Sequence, residues 1–438
     1  MRINPPTAGD RAPPSDRNHP PARDRRHSFG AGSSVRRERP RLRPSRSAVL
    51  VVQGLRYVPK IPDQVRTASP EAARTAPRIR IRPAPAPALM PSCTLIAYEN
   101  PKGIRSDLEI LTSSIARLGF LVRTQITPPH RSTVFDEIAT IETARKLTGG
   151  PLRAIKALQA VARWRSPERP AVKIFLERLP LPDLLDSSYK IFVPNPEWLI
   201  PEDEWKLELM DVIACKSRDA ANTFARRDLP VYYLGFTSED RFSGEATPDR
   251  REYLHIASGG RQKGTAEIID AWHHHPEWPH LTILAGISPI AADAAHNLTL
   301  IKDWCSDVEL RGHMQRCGVH VCCSNSEGFG HTIVEGMSCG ALVITTDFPP
   351  MNELIDESRG VLVRTRSATP MRRGRFAQLD PADIERAVDL TISLGESDYR
   401  SRCLTARAWF LRERDAFERR LGELLRSITA PRRRPAQR

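Results

Sequence analysis

The sequence has little that would place the chain in or across a membrane. The only apolar run in the first 90 residues, Ala48–Val52, is much shorter than the roughly 20 residues that a membrane-spanning helix needs. The signal-peptide pattern of a charged start, an apolar stretch and small residues is also missing. These absences favour a cytoplasmic protein, with at most peripheral contact at the inner face of the membrane.

Cysteine pairs at metal-binding spacing are missing too. Structural zinc sites need paired ligands at short intervals, and no C-x-x-C pair occurs. The cysteines are therefore predicted to be reduced side chains that pack as small hydrophobic groups. The chain has eight: Cys93, Cys215, Cys305, Cys317, Cys322, Cys323, Cys339 and Cys403.

An excess of positive charge is missing from most of the chain, although the net charge is +14. Residues 1–90 contain 18 Arg and one Lys against six acidic residues, a net charge of +13, so residues 91–438 carry only +1. Nucleic-acid binding needs clustered cations on a folded surface. This distribution argues against a nucleic acid as the partner of the folded part.

Residues 1–90 are predicted to be a disordered extension. They contain 15 of the 38 prolines and too few apolar residues to bury a core. A basic arm that contacts nucleic acid or anionic lipid, and an organelle transit peptide, are the alternatives. The strand-like segment SCTLIAYEN follows Met90 directly, and we expect the folded protein to begin there.

Short apolar runs alternate with helical periods from residue 91 to residue 245, which predicts a first domain with a parallel sheet flanked by helices. A capping box at Ser106–Glu109 is predicted to open its first helix. The predicted strands are Cys93–Tyr98, Phe120–Ile126, Val172–Leu176, Lys190–Val193, Val212–Cys215 and Val231–Leu234.

A polar stretch, Ser243–Glu252, marks the predicted hinge, and a second strand–helix series follows over residues 252–395. Residues 396–427 are predicted to form a C-terminal helix that packs back toward the first domain, and residues 428–438 a basic tail. Two doubly wound domains in one chain predict a ligand crevice at the carboxyl ends of their strands. The predicted strands of the second series are Tyr253–Ala257, Leu281–Ala285, Val319–Cys323 and Ala341–Thr345.

The most specific stretch is CCSNSEGFGHTIVE, which runs from Cys322 to Glu335. A buried strand ends in a glycine-containing turn, and the helix that follows points its positive end at the crevice, where a diphosphate would bind. Carboxylates beside such a site accept hydrogen bonds from sugar hydroxyls. Taken alone, Glu327 and Glu335 are also what a capped helix with surface glutamates would show.

The segment EGFGHTIVEGMSCGALVITT resembles the signature of GT-B retaining glycosyltransferases of the family usually numbered four. The resemblance implies two Rossmann-like domains facing a cleft, with Glu327 contacting the donor sugar near its reacting carbon. It implies that Gly328, Phe329 and Gly330 lend backbone to the sugar and phosphate, and that Glu335 binds the ribose hydroxyls.

A second match to this family is HIASGGRQKGTAEIIDAW, from His255. There the resemblance implies that Lys263, after a turn at Gly260, neutralises the diphosphate leaving group, with Arg261 as a helper. Only one residue separates Arg261 from Lys263, a shorter spacer than many relatives have. Positive charge at this place stabilises the charge that develops on the departing nucleotide.

Other parts of the family pattern are weaker. Glu353 occupies the place of a donor-sugar glutamate, but prolines replace the glycines before it. Gly103 occupies the acceptor-side glycine position, and His130 is the nearest candidate for an acceptor-side histidine. Relatives usually need no divalent metal, and the sequence has no Asp-x-Asp motif to hold one.

The sequence thus predicts a metal-independent, retaining hexosyltransferase without a cofactor. Its donor would be a nucleotide-diphosphate sugar and its acceptor a glycan, a lipid-linked molecule or a small molecule. A nucleotide-sugar epimerase of the same fold and a non-catalytic nucleotide-sugar or glycan-binding protein are the alternatives.

Overall fold

A computed structural model describes residues 91–98, 103–127, 171–225, 229–244, 247–257, 261–286 and 295–429, with four further positions between 156 and 161. All of them belong to the unit Thr67–Arg438. The predicted extension 1–90, its proposed boundary at Met90 and most of the predicted basic tail lie outside the described residues.

The first sheet consists of six parallel strands, and its inner strands read as short apolar runs because both of their faces are buried. Their order is β2-β1-β3-β4-β5-β6. Its strands are β1 (Ser92–Tyr98), β2 (Leu121–Thr127), β3 (Val172–Leu176), β4 (Tyr189–Val193), β5 (Val212–Cys215) and β6 (Val231–Tyr233). Its helices are α1 (Gly103–Arg117), α2 (Leu181–Leu184), α3 (Arg218–Ala225) and the 3₁₀ segments Pro196–Trp198 and Pro201–Leu209.

The second sheet is also parallel, and its order is β12-β11-β10-β7-β8-β9. The chain leaves β7 toward one edge and returns at β10 to build the other edge, so β7 and β10 form the switch point where ligands of such sheets bind. Its strands are β7 (Asp249–Ile256), β8 (His280–Leu284), β9 (Leu298–Ile301), β10 (Cys317–Cys322), β11 (Leu342–Thr346) and β12 (Val361–Val363). Its helices are α4 (Thr265–His274), α5 (Asp307–Arg316), α6 (His331–Ser338), α7 (Met351–Leu354) and α8 (Pro381–Ser393).

The last element among the described residues is a long helix, α9 (Glu396–Thr429). It packs against both the first half of the molecule, which contains the first sheet, and the second half, which contains the second sheet. Its apolar stripe, which includes Phe410 and Phe417, is buried. It belongs to one apolar cluster that also contains Leu111 of α1 in the first half and Met337 of α6 in the second. One apolar cluster therefore packs against both sheets.

An antiparallel hairpin, β13 (Thr365–Met371) and β14 (Gly374–Leu379), extends from the second half to the first. Its tip carries three arginines. Arg372 donates to the backbone oxygen of Trp198 at 2.7 Å, Arg373 forms a two-bond ion pair with Glu204, and Arg375 pairs with Asp219 at 2.8 Å. We call residues 365–379 the arginine hairpin.

Two predictions of local structure are wrong. Helix α1 begins at Gly103, so Ser106 lies inside the helix instead of capping it. A capping box does occur at Ser306, where the hydroxyl accepts from the backbone of Glu309. Strand β7 begins at Asp249, inside the predicted hinge, because the amino end of this strand reaches the surface and tolerates charged residues.

No helix within the described ranges combines the length and apolarity needed to cross a membrane.

Candidate active site

The switch point of the second sheet brings together the two residues predicted to be catalytic. Lys263 ends a 3₁₀ turn that follows β7, and Glu327 lies in the loop that follows β10. Lys263 Nζ donates to Glu327 Oε1 at 2.5 Å, and their side chains are 18% and 12% exposed. An ammonium group and a carboxylate are thus held together at the carboxyl edge of the sheet.

Backbone packing fixes the position of this pair. Gly264 follows Lys263 with φ of 64°, and a Cβ atom built on it would lie 2.2 Å from the backbone oxygen of Cys323. Only glycine accepts both the left-handed backbone and this contact. The backbone N–H of Asn325 also donates to the backbone oxygen of Gln262 at 2.8 Å, so the two loops are bonded directly.

Ser324 and Thr346 orient Glu327, and neither was predicted from the sequence. Ser324 Oγ donates to Glu327 Oε1 at 2.6 Å, and Thr346 Oγ1 donates to the Ser324 backbone oxygen at 2.6 Å. Lys263 and Ser324 therefore meet at one oxygen of Glu327, and the hydrogen bonds set the direction of the carboxylate.

His255 is a structural member of the site. Its Nδ1 lies 2.7 Å from the Val321 oxygen and its Nε2 lies 2.8 Å from Thr265 Oγ1. Burial lowers the pKa of His255 to about 4, so the ring is neutral near pH 7. It ties β7, β10 and α4 together beneath Lys263.

The glycine turn after Glu327 leads into α6. Gly330 has φ of 108° and stands at the N-cap, so the positive end of α6 lies directly after this turn. Phe329 is 4% exposed, and its ring packs edge-on against Phe236 at 5.4 Å. Its side chain is therefore part of the core, and only its backbone is available to a ligand.

Glu335 is buried, and its partner comes from the segment between the two sheets. Arg241 Nη2 lies 3.5 Å from Glu335 Oε1, and Arg241 also pairs with Glu239 at 3.0 Å. Burial raises the pKa of Glu335 against the opposing charge of Arg241. The predicted ribose contact of Glu335 stays a prediction.

Glu353 contacts the other half of the molecule. Its two carboxylate oxygens accept from the backbone N–H groups of Arg218 and Asp219, at 2.7 and 2.8 Å, at the start of α3. Carboxylates are favourable at a helix N-terminus. The predicted donor-sugar contact of Glu353 would have to replace or share these bonds, and it stays a prediction.

The predicted acceptor-side residues are only partly described. Gly103 is the exposed first residue of α1. Arg261 starts the 3₁₀ turn before α4, but its side chain lies outside the described residues, as do Gly260 and His130.

A network of three polar side chains lies between the first half and the start of α6. Lys216 Nζ donates to Asp107 Oδ2 at 2.8 Å, and His331 Nε2 lies 3.0 Å from Asp107 Oδ1. Burial favours a higher pKa for Asp107, but the charge of Lys216 and the hydrogen bond with His331 outweigh it and hold the pKa below its usual range. These hydrogen bonds link α1 directly to the start of α6.

Glu197 lies next to Gly328 and was not singled out from the sequence. It is 3% exposed and sits in the 3₁₀ turn after β4. Burial raises its pKa to about 7; Lys216 opposes this shift, and the negative charges of Glu327 and Glu177 add to it. The burial of Glu197 comes from contacts with the other half, which its own segment does not show.

The comparison with protein families concerns the half that contains these loops. Residues 236–373 match the family model described as Glycosyl transferases group 1. The similarity to this family is therefore confined to the second half and the segment that leads into it. The matched segment includes Lys263, Glu327 and Glu335, whereas Glu197 and Asp107 lie outside the matched range.

Solved structures show the fold of the chain across both sheets. Sucrose-phosphate synthase from Thermosynechococcus elongatus superimposes with a TM-score of 0.53 at 16% identity, covering 78% of this chain and 99% of that one. The E. coli trehalose-6-phosphate structure bound with UDP-2-fluoro glucose gives 0.53 at 12% identity, covering 77% and 99%. The chain has the GT-B fold, with two Rossmann-like sheets facing a cleft, and the predicted fold class is confirmed.

One curated relative is similar over a short stretch. The chain is 46% identical over 59 residues to the GDP-mannose:cellobiosyl-diphosphopolyprenol alpha-mannosyltransferase of Xanthomonas oryzae pv. oryzae. The match covers 13% of this chain and 16% of that protein, so it spans about a sixth of the relative's length.

Proposed function

We propose that the protein transfers a hexosyl group from a nucleotide-diphosphate sugar to a hydroxyl-bearing acceptor, with retention of anomeric configuration. The observation that carries this proposal is the Lys263–Glu327 pair at the switch point, 2.5 Å apart and beside the start of α6.

The parts of this site have complementary roles. The Lys263 ammonium and the first N–H groups of α6 supply positive charge where the diphosphate departs. Glu327, oriented by Ser324, supplies negative charge where the hexose becomes cationic in the transition state. When the donor binds, its phosphates compete with Glu327 for the lysine.

The remaining parts of the proposal rest on the resemblance of the EGFG segment to retaining enzymes. We propose that no divalent metal is needed, that Glu335 holds the ribose, and that the protein works in the cytoplasm or at the inner face of the membrane. A glycan, a lipid-linked molecule or a small molecule would be the acceptor. The lipid diphosphate in the name of the Xanthomonas relative makes a lipid-linked acceptor the first to try.

The direct test is incubation with a panel of nucleotide sugars while nucleotide release is measured. GDP-mannose and UDP-glucose come first, because those two nucleotides occur in the names of the similar proteins. We expect one donor to release its nucleotide, and Lys263→Ala to reduce this release at least about a hundredfold, as for a lost charge-stabilising group. Asp270→Asn, a change at an exposed carboxylate on α4, is the control.

Three other results would contradict the proposal. Isomerised nucleotide sugar without nucleotide release would indicate an epimerase, and binding without turnover a non-catalytic sugar-binding protein. If NMR shows a product of inverted anomeric configuration, retention is refuted, but glycosyl transfer still holds.

A further inference from the structure

The turn after β4 presents two oxygen atoms to the EGFG segment from the opposite half. A Cβ atom built on Gly328 would lie 2.2 Å from Asn195 Oδ1 and 3.0 Å from Glu197 Oε1. These oxygens are therefore in direct contact with the residue that follows Glu327. A first-half carboxylate thus reaches the loop where the donor sugar is proposed to react.

Among the described residues, one of these two side chains has a buried oxygen without any donor, and the other is bonded only to its own backbone. Asn195 Oδ1 is buried without a hydrogen-bond partner. The carboxylate of Glu197 is bonded to its own backbone N–H, and no side chain in the described ranges donates to it. Acceptors of this kind are complementary to hydroxyl groups, which bring the missing hydrogen.

Glycines of the second half cover Glu197 on two sides. Besides Gly328, Gly374 at the tip of the arginine hairpin lies so close that a Cβ atom on it would be 3.0 Å from the Glu197 Cβ and backbone nitrogen. Glu197 is buried because the halves are closed. Glu197 therefore lies at the contact between the halves, next to the loop that carries Glu327.

The surrounding charges suit a group that exchanges a proton. The negative charges of Glu177 and Glu327 act against ionisation of Glu197, and the positive charge of Lys216 favours it. Burial has the largest effect and raises the pKa of Glu197 to about 7. An acid–base group works best when its pKa is near the working pH.

We propose that Glu197, with Asn195 beside it, binds the attacking hydroxyl of the acceptor and takes up its proton. This inference rests on the proposed glycosyl transfer. The acceptor oxygen forms a bond to the anomeric carbon while the bond from that carbon to the diphosphate oxygen breaks. The bonding electrons leave with the nucleoside diphosphate, and the hydroxyl proton passes to the Glu197 carboxylate.

The experiment compares Glu197→Gln with the wild-type chain on the donor found in the panel. Water and a set of methyl glycosides serve as the acceptor probes. Steady-state kcat and the donor KM are measured from pH 5.5 to 8.5, and nucleoside diphosphate affinity is measured by calorimetry. Glu204→Gln is the matched control, because Glu204 is also a first-half glutamate bonded across the cleft, to Arg373.

We expect Glu197→Gln to lower kcat at least about tenfold, as for a lost acid–base group, with donor KM and nucleoside diphosphate affinity within about twofold. The wild-type rate should rise with pH through about 7, and this limb should disappear in Glu197→Gln and return, at a lower rate, in Glu197→Asp. Glu204→Gln should keep the limb and most of the rate.

Four outcomes would overturn the inference. They are an unchanged kcat in Glu197→Gln, survival of its pH limb, a loss of nucleoside diphosphate affinity as large as the loss of kcat, or an equal effect of Glu204→Gln. The first three leave glycosyl transfer standing. If the wild-type chain releases no nucleotide from any donor, the proposed function fails first and the inference fails with it.

Discussion

Replacing Glu197 by Gln should stabilise the protein at alkaline pH. The folded structure raises the pKa of this carboxyl from 4.5 to about 7, mainly by burial. The folded state therefore binds the proton more tightly than the unfolded state does. The stability linked to this proton is complete below pH 4.5, declines as the pH rises, and is lost above pH 7.

The size of the effect follows from the same shift. One pKa unit corresponds to about 1.4 kcal/mol, so the full loss is about 3 kcal/mol, of which about 2.5 kcal/mol falls between pH 5 and pH 8. Glutamine has the same shape and no titrating proton. Relative to the wild type, Glu197→Gln should therefore gain about 2.5 kcal/mol of stability between these two pH values.

Urea unfolding at pH 5 and pH 8 measures this difference directly. Glu204→Gln is again the control, because it removes an ion pair with Arg373 at the edge of the cleft and should show no stabilisation that grows with pH. If the stability difference between Glu197→Gln and the wild type is the same at both pH values, the burial argument for this carboxyl is wrong.

Three further predictions follow from the site. Glu335→Gln should weaken nucleoside diphosphate binding roughly ten- to a hundredfold, for a lost charge-assisted hydrogen bond, whereas Glu327→Gln should lower kcat at least about tenfold and leave that affinity nearly unchanged. Steady-state kinetics and calorimetry separate the two, and the reverse pattern would refute the assigned roles. Gly264→Ala should cost at least about 2 kcal/mol in urea unfolding, because its Cβ meets the Cys323 backbone, whereas Gly312→Ala in α5 should be neutral or stabilising. Activity should survive a chelator; loss restored by Mg²⁺ or Mn²⁺ would contradict metal independence.

The second half was the more predictable part, because its signals are local in the sequence. Glu327 and Glu335 lie in one strand–turn–helix segment, and Lys263 follows a strand whose end was recognisable. Parallel strands place such ends at one edge, so the meeting of Lys263 and Glu327 followed from the strand order.

The missed residues depend on contacts between distant segments. Glu197 becomes a buried carboxylate only when Gly328 and Gly374 close over it, and Arg241 becomes a partner of Glu335 only when the joining segment crosses α6. The sequence around each residue does not show these contacts.

The arginine hairpin was missed for a different reason. Most of β13 is exposed, so its sequence, TRSATPM, has no alternation of apolar and polar residues to reveal a strand. What stabilises it is pairing with β14 and the bonds from Arg372 and Arg373 to the first half. Alternation of apolar and polar residues reveals a strand only where one face is buried, and β13 is mostly exposed.

The arginine hairpin bonds the second half to the first through weak ion pairs. Its bonds to Glu204 and Asp219 join side chains that are between a quarter and a half exposed. Ion pairs of this kind contribute only about 0–1 kcal/mol each, and water replaces them readily. Thermal motion and salt can therefore break these ion pairs. The bonds at the hairpin tip can break in this way while the apolar cluster that contains the stripe of α9 stays packed.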